Sequence, residues 1–144
     1  KKHLIVFPGI GVILLMGLAF HTGCKEEKSF ENPLPGVAWI LESIQYSDQN
    51  IVDIDDTFRM VFNEDSTLEA NADCNYCKGS YDIGSGGTIY IYTPLSCTEA
   101  FCGLDSSENE FHRLLEDVFE YQKEGNRLRL YFSETGGRLN FIAE

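Results

Sequence analysis

The chain has 144 residues, 43% of them hydrophobic, with 11 lysines and arginines against 23 aspartates and glutamates, a net charge of −12. A surface this acidic repels phosphate backbones and anionic headgroups, which argues against a DNA- or RNA-binding role while naming no partner of its own. The length suits one domain of ordinary size behind an N-terminal extension.

Lys1 and Lys2 open the chain, and Leu4 to Phe20 follows without a charge. His21-Thr22-Gly23-Cys24 ends that run, and the polar stretch Lys25-Glu26-Glu27-Lys28-Ser29 comes next. A basic start, an apolar core and small residues before a cleavage point make a secretory signal. An uncleaved transmembrane anchor is the competing reading, and it needs about 20 apolar residues. The run here is shorter and carries Pro8, Gly9, Gly11 and Gly17, so a cleaved signal is preferred. Simple secretion is the third possibility.

A cysteine placed directly after the cleavage point resembles a bacterial lipoprotein signal. Gly23 and Cys24 fit that pattern, and His21 stands where it carries a leucine-like residue. The resemblance implies that residues 1–23 are a signal peptide and that Cys24 is the lipidation site, carrying palmitate-type acyl chains. It further implies a membrane-tethered lipoprotein of the outer membrane, on its periplasmic or cell-surface face. Removing residues 1–23 takes away two lysines and no acids, which leaves a mature charge of about −14.

Residues 24–36 are the acylated cysteine and a polar linker, too rich in charge, proline and glycine to build a core. Lys25-Glu26-Glu27 also looks like the tag that some Gram-negative phyla use to export lipoproteins to the outer face; a solvated linker explains it equally well. The folded domain spans residues 37–144. Ala38 to Tyr46 is a first strand with Trp39, Leu41 and Ile44. Phe58 to Phe62 alternates large apolar residues at period two. Asn63 to Ser66 supplies turn residues, and Thr67 to Ala72 returns antiparallel. Ser80 to Ile83 leads into the glycine-rich turn Gly84-Ser85-Gly86-Gly87, then the β-branched and aromatic run Thr88 to Tyr92. Tyr121 to Lys123 and Leu128 to Phe132 form a hairpin, and Leu139 to Ile142 follows another turn. The spacing predicts a mainly β (α+β) fold: a small antiparallel β-barrel-like sheet, closed or nearly closed, with one helix packed across it.

The helix is read over 107–119. Ser107 to Glu110 has the spacing of a capping box. Phe111, Leu114, Leu115, Val118 and Phe119 then fall at i, i+3, i+4, i+7 and i+8, one apolar stripe that should cover an open end or face of the sheet.

Four cysteines follow Cys24: Cys74, Cys77, Cys97 and Cys102. An even count in an exported domain points to two disulfides, with three pairings that spacing alone cannot choose between. Zinc is the rival, because Cys74 and Cys77 have ligand spacing; the wider Cys97–Cys102 interval and an oxidising compartment weigh against it. A thiol–disulfide catalyst is less apt, since its Cys-x2-Cys opens a helix in a parallel sheet, and here the motif lies between predicted strands.

Asp73-Cys74-Asn75 with Gly79-Ser80-Tyr81 resembles the glycine-cysteine-asparagine and glycine-x-tyrosine signature of the META domain, also called HslJ-like. Thr98 to Cys102 resembles that family's threonine-x-x-x-cysteine segment, and Glu110 to Leu115 its following helix. Trp39, Leu41, Ser43, Gly125, Asn126 and Leu128 also fit, so the likeness runs from about Trp39 to Phe141. Asp73 replaces the usual glycine, and Cys77 and Cys97 look like additions. The resemblance places Cys74 and Cys102 at recurrent cysteine positions, which implies the bridge Cys74–Cys102 and leaves Cys77–Cys97. It implies a small barrel-like fold with a helix across it, no enzymatic activity, and roles in stress tolerance, drug resistance or the envelope. It carries over no catalytic residues and no cofactor.

Other polar candidates carry less. His112 beside the apolar stripe reads as a surface histidine. Asp53, Asp55 and Asp56 could offer oxygens to calcium, yet no glycine-bearing twelve-residue loop follows, so they read as a solvated turn. Nothing in the spacing of Asp73, Glu99 and Asp105 sets a carboxylate pair at catalytic distance. Asn75 and Thr98 are candidate ligand contacts, although short polar side chains there usually bond to turn backbone. Tyr76, Tyr81, Tyr90 and Tyr92 could line a binding face or serve as core and cross-strand pairs. Three functions remain: a non-catalytic envelope lipoprotein acting through an envelope protein or structural contact, a small-ligand carrier using the barrel interior, and a hydrolase with an unrecognised site. No metal and no cofactor is expected.

Overall fold

The computed structural model describes residues 34–54, 58–133 and 136–144. The expected signal peptide over residues 1–23, the expected lipidation site Cys24, most of the expected linker, Asp55 and Asp56 lie outside them.

β1 (Ala38–Gln45) buries Trp39 and Leu41 in alternation, as a strand with one wet face must. A bulge between Leu41 and Ser43 then shifts the phase, so that Ile44 is the next residue to point inward. β2 (Ile51–Asp53) is a short exposed strand on the end of β1, and it takes in Asp53, which the sequence alone places in a solvated turn. Backbone pairing with β1 decides it, since the segment buries nothing. β3 (Arg59–Phe62) and β4 (Thr67–Ala72) form a hairpin that buries Met60, Phe62, Leu68, Ala70 and Ala72.

β5 (Asn75–Ile83) and β6 (Ile89–Cys97) are each longer than the propensities predict. Polar Asn75, Lys78 and Ser96 join the ladder because their backbones pair with neighbours. β7 (Val118–Glu124), β8 (Arg127–Phe132) and β9 (Gly137–Ala143) complete the sheet. The order is β6-β5-β4-β3-β1-β9-β8-β7, with every neighbouring pair antiparallel. β1 thus joins the N-terminal and C-terminal halves. The two end strands meet at a single bridge, Thr88 to Glu120, so the sheet is a half-barrel closed at one point. At the start of β9 a Cβ on Gly137 would run into the Gln45 carbonyl oxygen and the Phe132 ring, so this close approach requires glycine.

The helix is shorter than predicted. α1 (Glu108–Glu116) packs against β6 and buries Phe111, Leu114 and Leu115. Ser107 makes no side-chain cap hydrogen bond; Ser106 accepts from the Glu108 amide instead, at 3.2 Å. Glu110 turns away from the helix start, accepting from the Tyr46 hydroxyl at 2.8 Å and from Arg113 at 2.9 Å. Val118 is buried, but as the first residue of β7, and Phe119 is 45% exposed. The stripe therefore ends at Leu115, because β7 pairs with β8 from Val118 onward and alternation replaces the helical period.

The interior is filled by Trp39, Phe62, Phe111, Phe132 and Phe141, all fully buried. Phe111 meets Phe58 edge-on at 5.1 Å, and Phe62 meets Tyr81 at 4.9 Å. Of the four tyrosines offered as a binding face, Tyr81 belongs to this core, while Tyr76, Tyr90 and Tyr92 are exposed.

The Tyr46–Glu110–Arg113 cluster pins α1 to the end of β1. Burial, followed by the hydrogen bond to Glu110, pushes the Tyr46 phenol from 10.0 up to about 12. Its share of stability is therefore present below pH 10.0 and is lost as pH rises toward about 12. The Arg113 hydrogen bonds hold Glu110 below the usual carboxylate range, so its share is lost only on acidification through that lowered value. Denaturation midpoints followed across the alkaline range should fall more for the unmodified chain than for Tyr46→Phe; parallel curves would show that this phenol is not linked to folding.

Candidate functional site

The chemistry-bearing residues gather where the β4–β5 turn, the end of β6 and the start of α1 meet. Ala72 pairs with Asn75 across a two-residue turn, Asp73-Cys74. Asp73 sits at φ 56, in the left-handed region that glycine enters freely and aspartate tolerates better than most residues. That conformation accounts for a glycine at the matching position of the resembled motif. Cys74 reaches Cys102 in a disulfide with 5.4 Å between Cα atoms. In the β5–β6 ladder Cys77 lies directly opposite Cys97, and those two form the second disulfide. Both bridges are the pairings implied by the family resemblance.

Asn75 is 3% exposed and bonds on every side. Its Nδ2 donates to the Ala100 carbonyl at 3.0 Å and to Glu108 Oε2 at 2.9 Å. Its Oδ1 accepts from Thr98 Oγ1 and from the Ala100 amide, both at 2.8 Å. Thr98 Oγ1 in turn accepts from the Tyr76 amide at 3.0 Å. Of the two candidate ligand contacts, Asn75 is buried in this network and Thr98 is exposed beside it. Asn75 uses its donors and acceptors to hold the loop 98–102 against the helix, as a buried amide must.

Beside this network lies a cleft of about 210 Å³. One wall is β6, where the five residues from Tyr92 to Ser96 lie opposite only three on β5, Lys78 to Ser80, so that Thr93, Pro94 and Leu95 form a bulge. Pro94 cannot donate to a ladder, which suits it to this bulge. The other wall is the Glu108, His112 and Glu116 face of α1, spaced at i, i+4 and i+8. His112 Nε2 stands 3.6 Å from Glu108 Oε1, 3.8 Å from Cys77 Sγ and 3.7 Å from Cys97 Sγ. His112, expected as a surface histidine, is thus turned toward the disulfide with a quarter of its side chain exposed. The i,i+4 spacing to Glu108 signals one shared helix face, but only the β5–β6 register brings the sulfurs to it.

The three acids considered together, Asp73, Glu99 and Asp105, make no such cluster; Glu99 and Asp105 are exposed on the loop before α1. A second cleft, about 150 Å³, lies between the β1–β2 turn and the start of β9, beside Tyr46, Tyr131 and Arg138. Among the described residues no helix is long and apolar enough to cross a membrane.

The geometry has counterparts. A protein from Burkholderia xenovorans solved by NMR superposes with a TM-score of 0.65 at 17% identity, covering 77% of this chain and 83% of its own. A DUF4847 family protein from Bacteroides vulgatus, solved by crystallography, superposes at 0.59 and 15% identity, over 76% of this chain and 94% of its own. Likenesses at these identities concern the fold. No curated protein matches the sequence. The family model of the META domain matches residues 32–144, well over half of the chain. The chain belongs to the META domain family.

Proposed function

We propose that the chain is a non-catalytic envelope lipoprotein: Cys24 is acylated and tethers a META domain to the outer membrane, on its periplasmic or cell-surface face, where it acts by binding or structural contact. The observation that carries this is the pairing of a lipoprotein-like signal over residues 1–24 with a domain stapled by two disulfides. Disulfides persist in oxidising compartments outside the cytoplasm. The filled core favours contact through the outer surface over a carrier with a ligand inside the barrel. The shifted titratable groups also fit a non-catalytic role: the largest, Tyr46, is pushed to about 12, away from use as an acid or base near neutral pH.

Two acyl chains suffice for stable anchoring, at about 0.8 kcal/mol per buried methylene. Expressed with its own signal in a Gram-negative host, the chain should fractionate with membranes, and its intact mass should match a start at Cys24 plus acyl groups. Cys24→Ser should release the domain to the soluble fraction or leave it unprocessed. A mature chain with unmodified Cys24 would refute the lipoprotein reading.

A further inference from the structure

We propose that Cys77, Cys97 and His112 form a redox-gated zinc site, with water in the fourth position: closed while the disulfide is intact, and open to one Zn²⁺ once the disulfide is reduced. Three elements supply the ligands, β5, β6 and α1, and each is held by contacts that do not pass through the sulfurs. The ladder keeps Cys77 opposite Cys97 through backbone hydrogen bonds. Phe111, Leu114 and Leu115 keep α1 on the sheet. Asn75 holds one Glu108 oxygen and leaves the other, Oε1, beside His112.

The nitrogen–sulfur distances match the edges of a zinc tetrahedron. With Zn–S about 2.3 Å and Zn–N about 2.0–2.1 Å, sulfur and nitrogen ligands lie about 3.6 Å apart. The observed Nε2–Sγ separations are 3.8 and 3.7 Å. Among these three ligands only the two sulfurs must part, to about 3.8 Å, which breaking their bond permits. Two thiolates and an imidazole, with water in the fourth position, are a donor set that zinc accepts, and the Glu108 carboxylate beside His112 orients the ring. The carboxylates of Glu108 and Glu116 on the cleft wall add a field that attracts a cation.

The redox step is thiol–disulfide exchange with a dithiol donor. A donor thiolate attacks Cys97 Sγ, which lines the cleft, and the Cys77 thiolate leaves. The donor's second thiol then resolves the mixed disulfide, leaving two thiols on this chain and a disulfide on the donor. Zinc displaces the two thiol protons and binds between the thiolates, which blocks reoxidation until the metal departs.

The test uses the full chain in detergent, oxidised or reduced by a phosphine that does not compete strongly for metal, titrated with Co²⁺ and then Zn²⁺. The reduced chain should bind one Co²⁺ with thiolate-to-cobalt charge-transfer absorption and tetrahedral ligand-field bands, and stoichiometric zinc should bleach both. The oxidised chain should show neither. Cys77→Ser/Cys97→Ser, which keeps the other bridge's cysteines, should lose the signal. His112→Gln, at a part-exposed position, should weaken zinc by at least about tenfold, since even outer-shell partners of a zinc ligand carry that much. Zinc should also raise the melting temperature of the reduced chain, and not that of the oxidised chain. No cobalt spectrum in the reduced chain, with or without a retained fold, would overturn the site. So would binding that persists in Cys77→Ser/Cys97→Ser, because the ligands would then lie elsewhere.

Discussion

Phe111→Ala is expected to lower the unfolding free energy by about 3–5 kcal/mol, the range for removing a fully buried aromatic ring from a core that cannot collapse around the gap. Phe111 is fully buried, sits on the inner face of α1 and meets Phe58 edge-on. The loss has two parts. Apolar surface returns to water on unfolding by less than before, and the cavity left under α1 deprives Phe58, Leu114 and their neighbours of contacts. Chemical denaturation checks the value, with an unchanged slope showing that the denatured state is unaffected. Phe119→Ala is the control. Its ring is 45% exposed on the outer side of β7, so it should stay within about 0.5 kcal/mol. Equal effects at the two positions would mean that α1 does not cover the sheet as described.

The second large effect concerns the bridge at the mouth of the site. Replacing Cys74 and Cys102 together by alanine should cost about 3–4 kcal/mol in the chain-entropy model, given a sequence separation of 28 residues. For a domain of this size that corresponds to a melting temperature lower by roughly 10–20 °C. The bridge ties the β4–β5 turn to the loop before α1, and the Asn75 hydrogen bonds run parallel to it. Reductant should lower the melting temperature of the unmodified chain and should have a smaller effect on the double variant, which keeps only Cys77 and Cys97. A double variant as stable as the parent would show that Asn75 holds this loop without help. Asn75→Ala in that background would then carry the whole loss, because the Ala100 amide and carbonyl would both lose their partner.

Much of this molecule was legible in the chain. Period-two alternation marks Phe58 to Phe62 and Leu128 to Phe132 as half-buried strands, since a sheet with one wet face imposes that pattern on any sequence that forms it. The family signature marks the pairing of Cys74 with Cys102. Other features left no local trace. Ile51 to Asp53 becomes a strand only because β1 offers it a ladder. Val118 and Phe119 continue the helical spacing of Leu114 and Leu115, yet the chain has already left the helix, because pairing with β8 outweighs a helical preference of a few tenths of a kcal/mol per residue. Glu110 has capping-box spacing, but Tyr46, 64 residues earlier, provides a better partner than the helix's own first turn.

The sequence by itself determined the mainly β, barrel-like class, the inward-facing residues of most strands and the presence of one amphipathic helix, because each follows from the spacing of apolar side chains along a few residues. Only the tertiary structure decided the candidate site. Cys77 and Cys97 are 20 residues apart and His112 lies 15 further on; the β5–β6 register and the seating of α1 on β6 set them within 3.8 Å. No short-range pattern encodes that distance. It is the sum of a ladder register, a bulge at Pro94 and a helix face, each fixed by contacts between residues remote in the chain.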